Sequence, residues 1–264
     1  MQSLSKTNQA SRASRAHVST ARMARDGCFL GEMIGPLIKG DVSDGCSVLL
    51  FGPPGVGKTV FCENFVKACL GKNLNCLYVT LDKSPCDVKA NLRHLGISVR
   101  GREETEIVFV DGFNWLVGES QETYRVDNLG NLTELSIQIA SAAGSLSGPV
   151  FLIFDSISPL LVYNPENVVV KFLQILLARV RSWNGVGLFV VQDGVHSEGF
   201  CNTLSYLVDG VFDMKIEEEN GEMIRYFRVR SLKSMAHETR WVRFVIHADR
   251  ELELELKEGR TVGP

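Results

Sequence analysis

The sequence predicts an α/β fold in which a parallel β-sheet, flanked by helices on both faces, is extended near the C-terminus by antiparallel strands. Short apolar runs alternate with longer amphipathic segments between residues 47 and 191, which is typical of βαβ units. Strand-like segments then follow one another directly, and the pair Asn220-Gly221 indicates a hairpin turn between two of them. The 264 residues suffice for one large domain of this kind.

The expected elements follow in a regular order. Buried parallel strands are predicted at 47–51, 76–81, 107–110, 150–154 and 186–191. Helices are predicted at 58–70, 85–95, 133–146 and 167–183, after a short helix or turn at 28–38. The antiparallel strands are predicted at 208–217, 223–231, 241–247 and 251–256. We expect one domain over residues 27–258, a basic tail at 1–26 and a flexible end at 259–264.

The charge is unevenly distributed along the chain. Residues 1–25 carry five basic residues and no acid, so that a total of −3 leaves −8 for the remainder. An acidic body argues against a broad nucleic-acid-binding face. The tail is interpreted as a solvated segment, an electrostatic arm for a nucleic acid or acidic partner, or a transit peptide, and the sequence does not decide between them. No apolar run is long enough to span a bilayer.

The seven cysteines form neither a CxxC pair nor a zinc-ligand array. An odd number of cysteines in apolar surroundings is typical of reduced thiols in a cytoplasmic protein. Cys62 and Cys69 are seven residues apart on a predicted helix, and we expect both to face the interior.

The segment Gly52–Thr59 matches the pattern GxxxxGK[ST] at each required position. Its glycines let successive backbone N–H groups point at phosphate oxygens, and the helix that follows directs its N-terminus at the same anion. The motif predicts a site for ATP with Mg²⁺, where Lys58 binds the β- and γ-phosphates and the Thr59 hydroxyl ligates the metal. The predicted nucleotide-binding residues are Gly52, Pro53, Pro54, Gly55, Val56, Gly57, Lys58, Thr59, Val60 and Gln192.

A P-loop also needs a carboxylate that holds magnesium through its water shell. Asp155 directly follows the apolar run 150–154 and is the candidate. The alternative is an ordinary turn or helix-capping aspartate. Lys58 and Asp155 are 97 positions apart, which leaves room for two strands, so the two strands concerned need not be neighbours.

The order of these motifs resembles the KaiC-like branch of the RecA superfamily of ATPases over residues 27–256. The resemblance is carried by 40–45 (GDVSDG), 52–59, 77–85 (LYVTLDKSP), 151–158 (FLIFDSIS), 208–211 (VDGV) and 228–246. It is closest to a single-domain, archaeal-looking member, and it implies a RecA-like P-loop core. The chain lacks half the length of the two-domain clock protein, so the autokinase behaviour of that protein is not expected.

This family usually has two glutamates after the second strand, one of them the general base. Here Asp82 and Lys83 match them. An aspartate is one methylene shorter, and misplacing a carboxylate by about 1 Å can cost on the order of 100-fold in rate. Lys83 either lowers the basicity of Asp82 or contacts phosphate. Alternatively, both are surface residues at the end of a strand.

The resemblance also implies a homo-oligomer, possibly a hexameric ring, in which a basic residue of one subunit reaches the γ-phosphate of its neighbour. Lys233 stands where the family has arginine, and a lysine lacks the bidentate guanidinium. Strand alternation predicts that Arg230 points to the opposite face. Lys233 as a plain surface lysine is the alternative. Gln192, at the end of the fifth strand, matches a γ-phosphate sensor.

Three functions are compatible with these features: a slow ATPase whose nucleotide state controls self-assembly or partner binding, a non-hydrolysing ATP-binding regulatory module, and a recombination accessory protein that binds single-stranded DNA. The predicted surface loop 193–199 contains two acids and no Lys or Arg, which weakens the third. His196 and His237 are isolated, and a structural or solvated role is expected for both rather than metal binding.

Overall fold

The structure, a computed structural model, describes residues 29–39, 45–103, 105–118, 120–233 and 235–255. The predicted tail at 1–26 and the end at 259–264 lie outside these residues, as does most of the motif at 40–45. Within the described ranges, each predicted strand and each of the four long helices is confirmed with ends within two residues of those expected. The short helix or turn predicted at 28–38 is a helix at Phe29–Ile34 followed by a 3-10 turn at Gly35–Leu37.

The strands run in chain order as β1 (Ile38–Lys39), β2 (Ser47–Gly52), β3 (Asn75–Thr80), β4 (Ile107–Asp111), β5 (Tyr124–Arg125), β6 (Val150–Asp155), β7 (Gly187–Gln192), β8 (Gly210–Glu219), β9 (Glu222–Leu232), β10 (Ala236–His237), β11 (Val242–Ile246) and β12 (Leu252–Glu255). The helices are α1 (Phe29–Ile34), α2 (Lys58–Gly71), α3 (Pro85–His94), α4 (Leu132–Ser145), α5 (Leu160–Tyr163), α6 (Glu166–Ser182) and α7 (Glu198–Leu207).

One large sheet organises the described part of the chain, in the order β12-β11-β9-β8-β2-β7-β6-β3-β4-β5. The strands from β8 to β5 are parallel neighbours, and β8, β9, β11 and β12 pair antiparallel. β7 lies between β2 and β6, so the strand that carries Asp155 does not adjoin the P-loop strand. The loops after β2, β3, β6 and β7 therefore meet at one edge of the sheet.

Two apolar cores fill the space between the sheet and its helices. One core joins the sheet to α1, α2 and α3, and the other joins it to α4, α6 and α7. Cys62 and Cys69 are both buried in the first core, as the sequence predicts. None of the six cysteines of the described ranges forms a disulfide. In those same ranges no helix is long and apolar enough to cross a membrane.

The hairpin at Asn220-Gly221 is confirmed. β8 and β9 pair up to Glu219 and Glu222, and both turn residues have positive φ, 54° for Asn220 and 83° for Gly221. Left-handed conformations at both central positions match the twist of the two strands, and Asn-Gly is the pair that adopts them most readily.

A β-bulge interrupts the same strand pair further along. Val211 pairs with Ser231 whereas Phe212 pairs with Val229, so Arg230 is an extra residue in β9. Because a bulge resets the alternation of side chains, the expectation that Arg230 and Lys233 point to opposite faces is wrong. Both side chains lie on the side of the sheet that carries α7.

Helix α7 is not predicted from the sequence, where its first residues are assigned to a surface loop. Ser197 caps the helix by accepting a hydrogen bond from the Phe200 N–H at 3.1 Å, and Phe200 and Leu204 are buried one turn apart. A serine followed by two apolar residues four apart is a helix signal, but it covers only ten residues.

Candidate nucleotide-binding site

The loop between β2 and α2 has the backbone geometry of a phosphate cradle. Gly55 and Gly57 adopt positive φ values of 76° and 111°, which glycine reaches without steric cost. Gly57 also lies against β11, where an added Cβ would stand 2.6 Å from the Cδ1 atom of Ile246. No side chain caps the N-terminus of α2, so its first N–H groups are directed at the space where a phosphate would lie.

Lys58 is held inside this loop, with a relative exposure of 9%. Its Nζ donates to the carbonyl oxygens of Gly52 at 2.7 Å and Pro53 at 2.8 Å, and to Oε1 of Gln192 at 3.1 Å. Burial lowers the pKa of Lys58, and the nearby carboxylates of Asp155 and Asp82 oppose this shift. The structure thus brings Lys58 and Gln192 together, as the sequence predicts.

Asp155 ends β6 and is almost fully buried. Its Oδ2 accepts a hydrogen bond from the Tyr78 hydroxyl at 2.9 Å, and Thr59 also bonds to it. Burial, reinforced by the charge of Asp82, raises the pKa of Asp155 to about 6, against the opposing effect of these two hydrogen bonds. Burial disfavours the ionised form of Asp155, and a bound cation would favour that form.

Thr59 and Asp155 fit a magnesium ion, because they offer hard oxygen ligands beside the phosphate cradle. No group of three or more His, Cys, Asp or Glu side chains that could hold a metal occurs among the described residues. A single hydroxyl and a single carboxylate are what a P-loop requires, since Mg²⁺ keeps several waters and takes phosphate oxygens from the nucleotide.

Asp82 lies just beyond β3 and is exposed. Its Oδ2 accepts a hydrogen bond from the Ser156 hydroxyl at 2.6 Å, which fixes the carboxylate next to Asp155. The exposed Lys83 is fixed through its backbone, because its carbonyl accepts a bond from the Thr80 hydroxyl at 2.7 Å. Ser156 and Tyr78 are not predicted from the sequence. Ser156 could have been inferred because it directly follows Asp155, whereas nothing local marks Tyr78.

The remaining predicted nucleotide-binding residues differ in how exposed their side chains are. The side chains of Val56 and Val60 are buried in the core, so Val60 can serve a nucleotide only through its backbone. Pro53 is half-buried and Pro54 is exposed. The predicted nucleotide contact of Val60 therefore narrows to its main-chain N–H group in the first turn of α2.

Lys233 does not lie with the other predicted site residues. Its Nζ donates to the carbonyl oxygen of Tyr206, at the end of α7, at 3.0 Å. Arg230 instead forms an ion pair with the buried Asp213, which Arg228 joins through its Nε at 2.8 Å. Asp213 is not predicted from the sequence, since its role depends on two arginines of the next strand.

Glu63, in the P-loop helix α2, is the centre of a second cluster of hydrogen-bonded side chains that is not predicted from the sequence. It is fully buried in α2, and its carboxylate accepts bonds from Arg250 at 2.6 and 2.8 Å and from the Asn91 amide at 2.7 Å. Next to it, Asn64 bonds to the backbone of Arg250 and Leu252 at 3.0 and 3.2 Å. These contacts tie α2 to α3 and to the turn between β11 and β12.

The Asp155 carboxylate yields a prediction for stability. Because it titrates at about 6 rather than at 3.8, the nucleotide-free protein loses stability as pH rises between these values. About two pKa units correspond to about 3 kcal/mol. We expect Asp155→Asn to raise the free energy of unfolding at pH 8 by on the order of 2 kcal/mol, since the amide must itself find partners.

Urea unfolding at pH 8 and pH 3 checks this, because the gain should fade below pH 3.8, where both states carry the protonated acid. Asp213→Asn is the matched control. That carboxylate is equally buried but paired with two arginines, so its replacement should lower stability. A destabilised Asp155→Asn protein at pH 8 would contradict the account of the site.

Three features define a P-loop NTPase with a RecA-like core. They are the glycine-rich loop that joins the parallel strand β2 to a helix, the buried lysine of that loop, and the carboxylate at the end of β6, which is separated from β2 by one strand. The family model described as "ATPase: KaiC" matches residues 32–254. The chain belongs to the KaiC ATPase family and is a KaiC-like member of the RecA superfamily.

The relatives are mostly archaeal. The UPF0273 protein of Methanocaldococcus jannaschii is 28% identical over 207 residues, which are 76% of this chain and 84% of that protein. The UPF0273 protein of Methanopyrus kandleri is 29% identical over 77% of this chain and 82% of that protein. The crystal structure of a KaiC-like protein from Pyrococcus horikoshii has the same fold, with a TM-score of 0.66 and 21% identity over 83% of this chain and 94% of that one.

Proposed function

We propose that this protein is a magnesium-dependent ATPase of low turnover whose nucleotide state controls self-assembly or the binding of a partner. Membership of the KaiC ATPase family supports ATP binding. The observation that carries the proposal is the position of Asp82, a short carboxylate held by Ser156 at the edge of the site. Lys58, Thr59 and Asp155 would hold the phosphates and the metal.

We expect low turnover because of the two side chains, Asp82 and Lys83, that would surround the attacking water. In this proposal Asp82 orients the attacking water molecule, but one of its carboxylate oxygens already accepts a hydrogen bond from Ser156. Its shorter side chain stays closer to the sheet edge than a glutamate would. Lys83 supplies a positive charge where a second carboxylate would strengthen the base. In this proposal, ATP binding and magnesium binding require neither Asp82 nor Lys83.

Restoring the longer carboxylate is the direct test. We expect Asp82→Glu to raise the rate of ATP hydrolysis by on the order of tenfold, because it moves the base toward the γ-phosphate. Asp82→Asn should abolish hydrolysis and leave ATP affinity unchanged. Steady-state phosphate release measures both, with Asp127→Glu, an exposed aspartate outside the site, as the control.

A non-hydrolysing ATP-binding module is the second candidate. It is favoured by Asp82 and Lys83, which stand where the family usually has two glutamates. If wild type and Asp82→Asn release phosphate at the same rate as a protein-free control, this alternative replaces the ATPase. ATP binding measured by calorimetry would then still depend on magnesium. A wild-type rate above that of Asp82→Asn would exclude it.

We further propose that Lys233, just beyond the C-terminal end of β9, reaches the nucleotide of a neighbouring copy. Lys233 is exposed and makes a single described side-chain hydrogen bond, to a backbone carbonyl. Arg230 lies on the same side of the sheet but is paired with Asp213. Lys233 is therefore the more readily available cation of the two.

Assembly should then depend on ATP. We expect light scattering to show a larger mass with ATP and Mg²⁺ than without, and a specific activity that rises with protein concentration. Lys233→Ala should remove that rise, because developing charge on the γ-phosphate would lose a cation. Lys215→Ala, which alters a lysine of β8 paired with Glu217, is the control. A monomer under both conditions would contradict the assembly proposal.

A further inference from the structure

The side chain of Tyr78 ends directly beneath the predicted magnesium site. Tyr78 lies in β3 and is fully buried, and its hydroxyl donates a hydrogen bond to Oδ2 of Asp155 at 2.9 Å. Burial, reinforced by the charge of Asp155, raises the pKa of Tyr78 well above its usual value. The hydroxyl therefore keeps its proton, and Asp155 has a lasting hydrogen-bond donor on its buried side.

The strand register explains how this contact arises. β3 and β6 pair in parallel, so that Tyr78 lies opposite Ile153 and Thr80 lies opposite Asp155. Residues two positions apart on a strand point to the same face of the sheet. The long side chain of Tyr78 can therefore reach along that face to Asp155, while its ring stacks on that of Phe109 with a centroid distance of 5.8 Å. A phenylalanine would fill the same space and end short of the carboxylate.

The hydroxyl restricts how the Asp155 carboxylate can rotate. The carboxylate accepts bonds from Tyr78 and from Thr59, whereas the negative charge of Asp82 repels it. Asp82 cannot easily move away, because the Ser156 hydroxyl holds it at 2.6 Å. Without the bond from Tyr78, the carboxylate could turn away from Asp82, and a metal ion would have to bring it back. Orientation before binding lowers this cost.

We propose that Tyr78 is a positioning residue for magnesium, which holds Oδ2 of Asp155 so that the carboxylate is directed at the water shell of the ion beside Thr59. The inference rests on the proposed function, because it assumes that Asp155 helps to hold the metal. Removing a partner that orients a metal-binding side chain typically costs about 10- to 100-fold in metal affinity. Since Tyr78 is fully buried, its effect on the ion passes through Asp155.

Tyr78→Phe removes the hydroxyl and keeps the ring. We expect the Mg²⁺ concentration that gives half-maximal tightening of AMP-PNP, an ATP analogue that is not hydrolysed, to rise about tenfold, the equivalent of ~1.4 kcal/mol. The affinity for AMP-PNP in excess EDTA should stay the same, because Lys58 and the P-loop backbone bind phosphate without Asp155. Competition with a fluorescent ADP derivative measures both quantities without any hydrolysis.

Phe109→Leu is the matched control for packing. It loosens the ring stack on Tyr78 but leaves the hydroxyl in place. It should lower the free energy of unfolding, since it removes buried apolar surface, and leave the Mg²⁺ requirement unchanged. If Phe109→Leu raises that requirement as much as Tyr78→Phe does, packing and not the hydroxyl governs the metal, and the inference is overturned.

A double-mutant cycle tests whether Tyr78 acts through Asp155. In the Asp155→Asn protein, Tyr78→Phe should raise the Mg²⁺ requirement no further, because the carboxylate that it positions is gone. If the two substitutions instead have additive effects, Tyr78 influences the metal by another route and the inference is wrong.

The unaltered protein separates this inference from the proposed function. If Mg²⁺ leaves the affinity of wild type for AMP-PNP unchanged, the magnesium-dependent ATPase is contradicted and the role of Tyr78 is overturned with it. If wild type and Tyr78→Phe respond to the same Mg²⁺ concentrations, only the inference is overturned. Equal weakening of Tyr78→Phe with and without Mg²⁺ also overturns it, because the hydroxyl would then support the phosphate loop and not the metal.

Discussion

Replacing Lys58 by alanine is expected to weaken the binding of ATP by on the order of 1000-fold, because hydrogen bonds from a charged donor to phosphate are each worth about 1.5–3 kcal/mol. The ammonium is already positioned at the loop, where it bonds to Gly52, Pro53 and Gln192. ATP therefore meets a preorganised cation. Isothermal titration calorimetry with magnesium present measures the loss.

Lys67→Ala is the matched control for this experiment. Lys67 lies on the same helix, and its only described ion pair is an exposed one with Glu251, which contributes little. Its replacement removes the same charge and should leave ATP affinity nearly unchanged. Equal affinities for wild type and Lys58→Ala would contradict the nucleotide site itself.

Replacing Glu63 by alanine is expected to lower the free energy of unfolding by about 3–5 kcal/mol, the usual cost of breaking a buried ion pair. The substitution would leave the guanidinium of Arg250 without its carboxylate and the Asn91 amide without an acceptor. It would also free the turn after β11, whose Ile246 packs against Gly57. Chemical denaturation of the nucleotide-free protein measures the change.

Glu63→Gln keeps the shape and an acceptor for Asn91, so it should fold and lose less stability than the alanine variant. Glu251→Ala removes an exposed acid of the same turn and should cost under about 1 kcal/mol. If Glu63→Gln is as stable as wild type, the ion pair with Arg250 does not hold the turn in place.

The order of strands and helices was predictable because each buried strand is a short apolar run and each helix an amphipathic one. The P-loop and Asp155 were predictable for a different reason, since phosphate and metal impose residue types at fixed spacing. Asn220-Gly221 predicted its turn because few other pairs adopt positive φ at both positions.

The features that could not be predicted depend on contacts between residues far apart in the sequence. Tyr78 reaches Asp155 from another strand, and Glu63 meets Arg250 across 187 residues of sequence. The bulge that turns Arg230 toward Asp213 has no strong local signal, because no glycine or proline marks it.

The pairing of Glu63 with Arg250 also has a consequence for biosynthesis. The P-loop helix is made first, and the arginine that neutralises Glu63 is made 187 residues later, just after the strand that packs on Gly57. A nascent chain that has not yet extended past residue 250 would have to bury Glu63 without its counter-charge in order to fold. ATP binding should therefore begin only after nearly the whole domain has left the ribosome, so that truncated chains cannot compete for nucleotide.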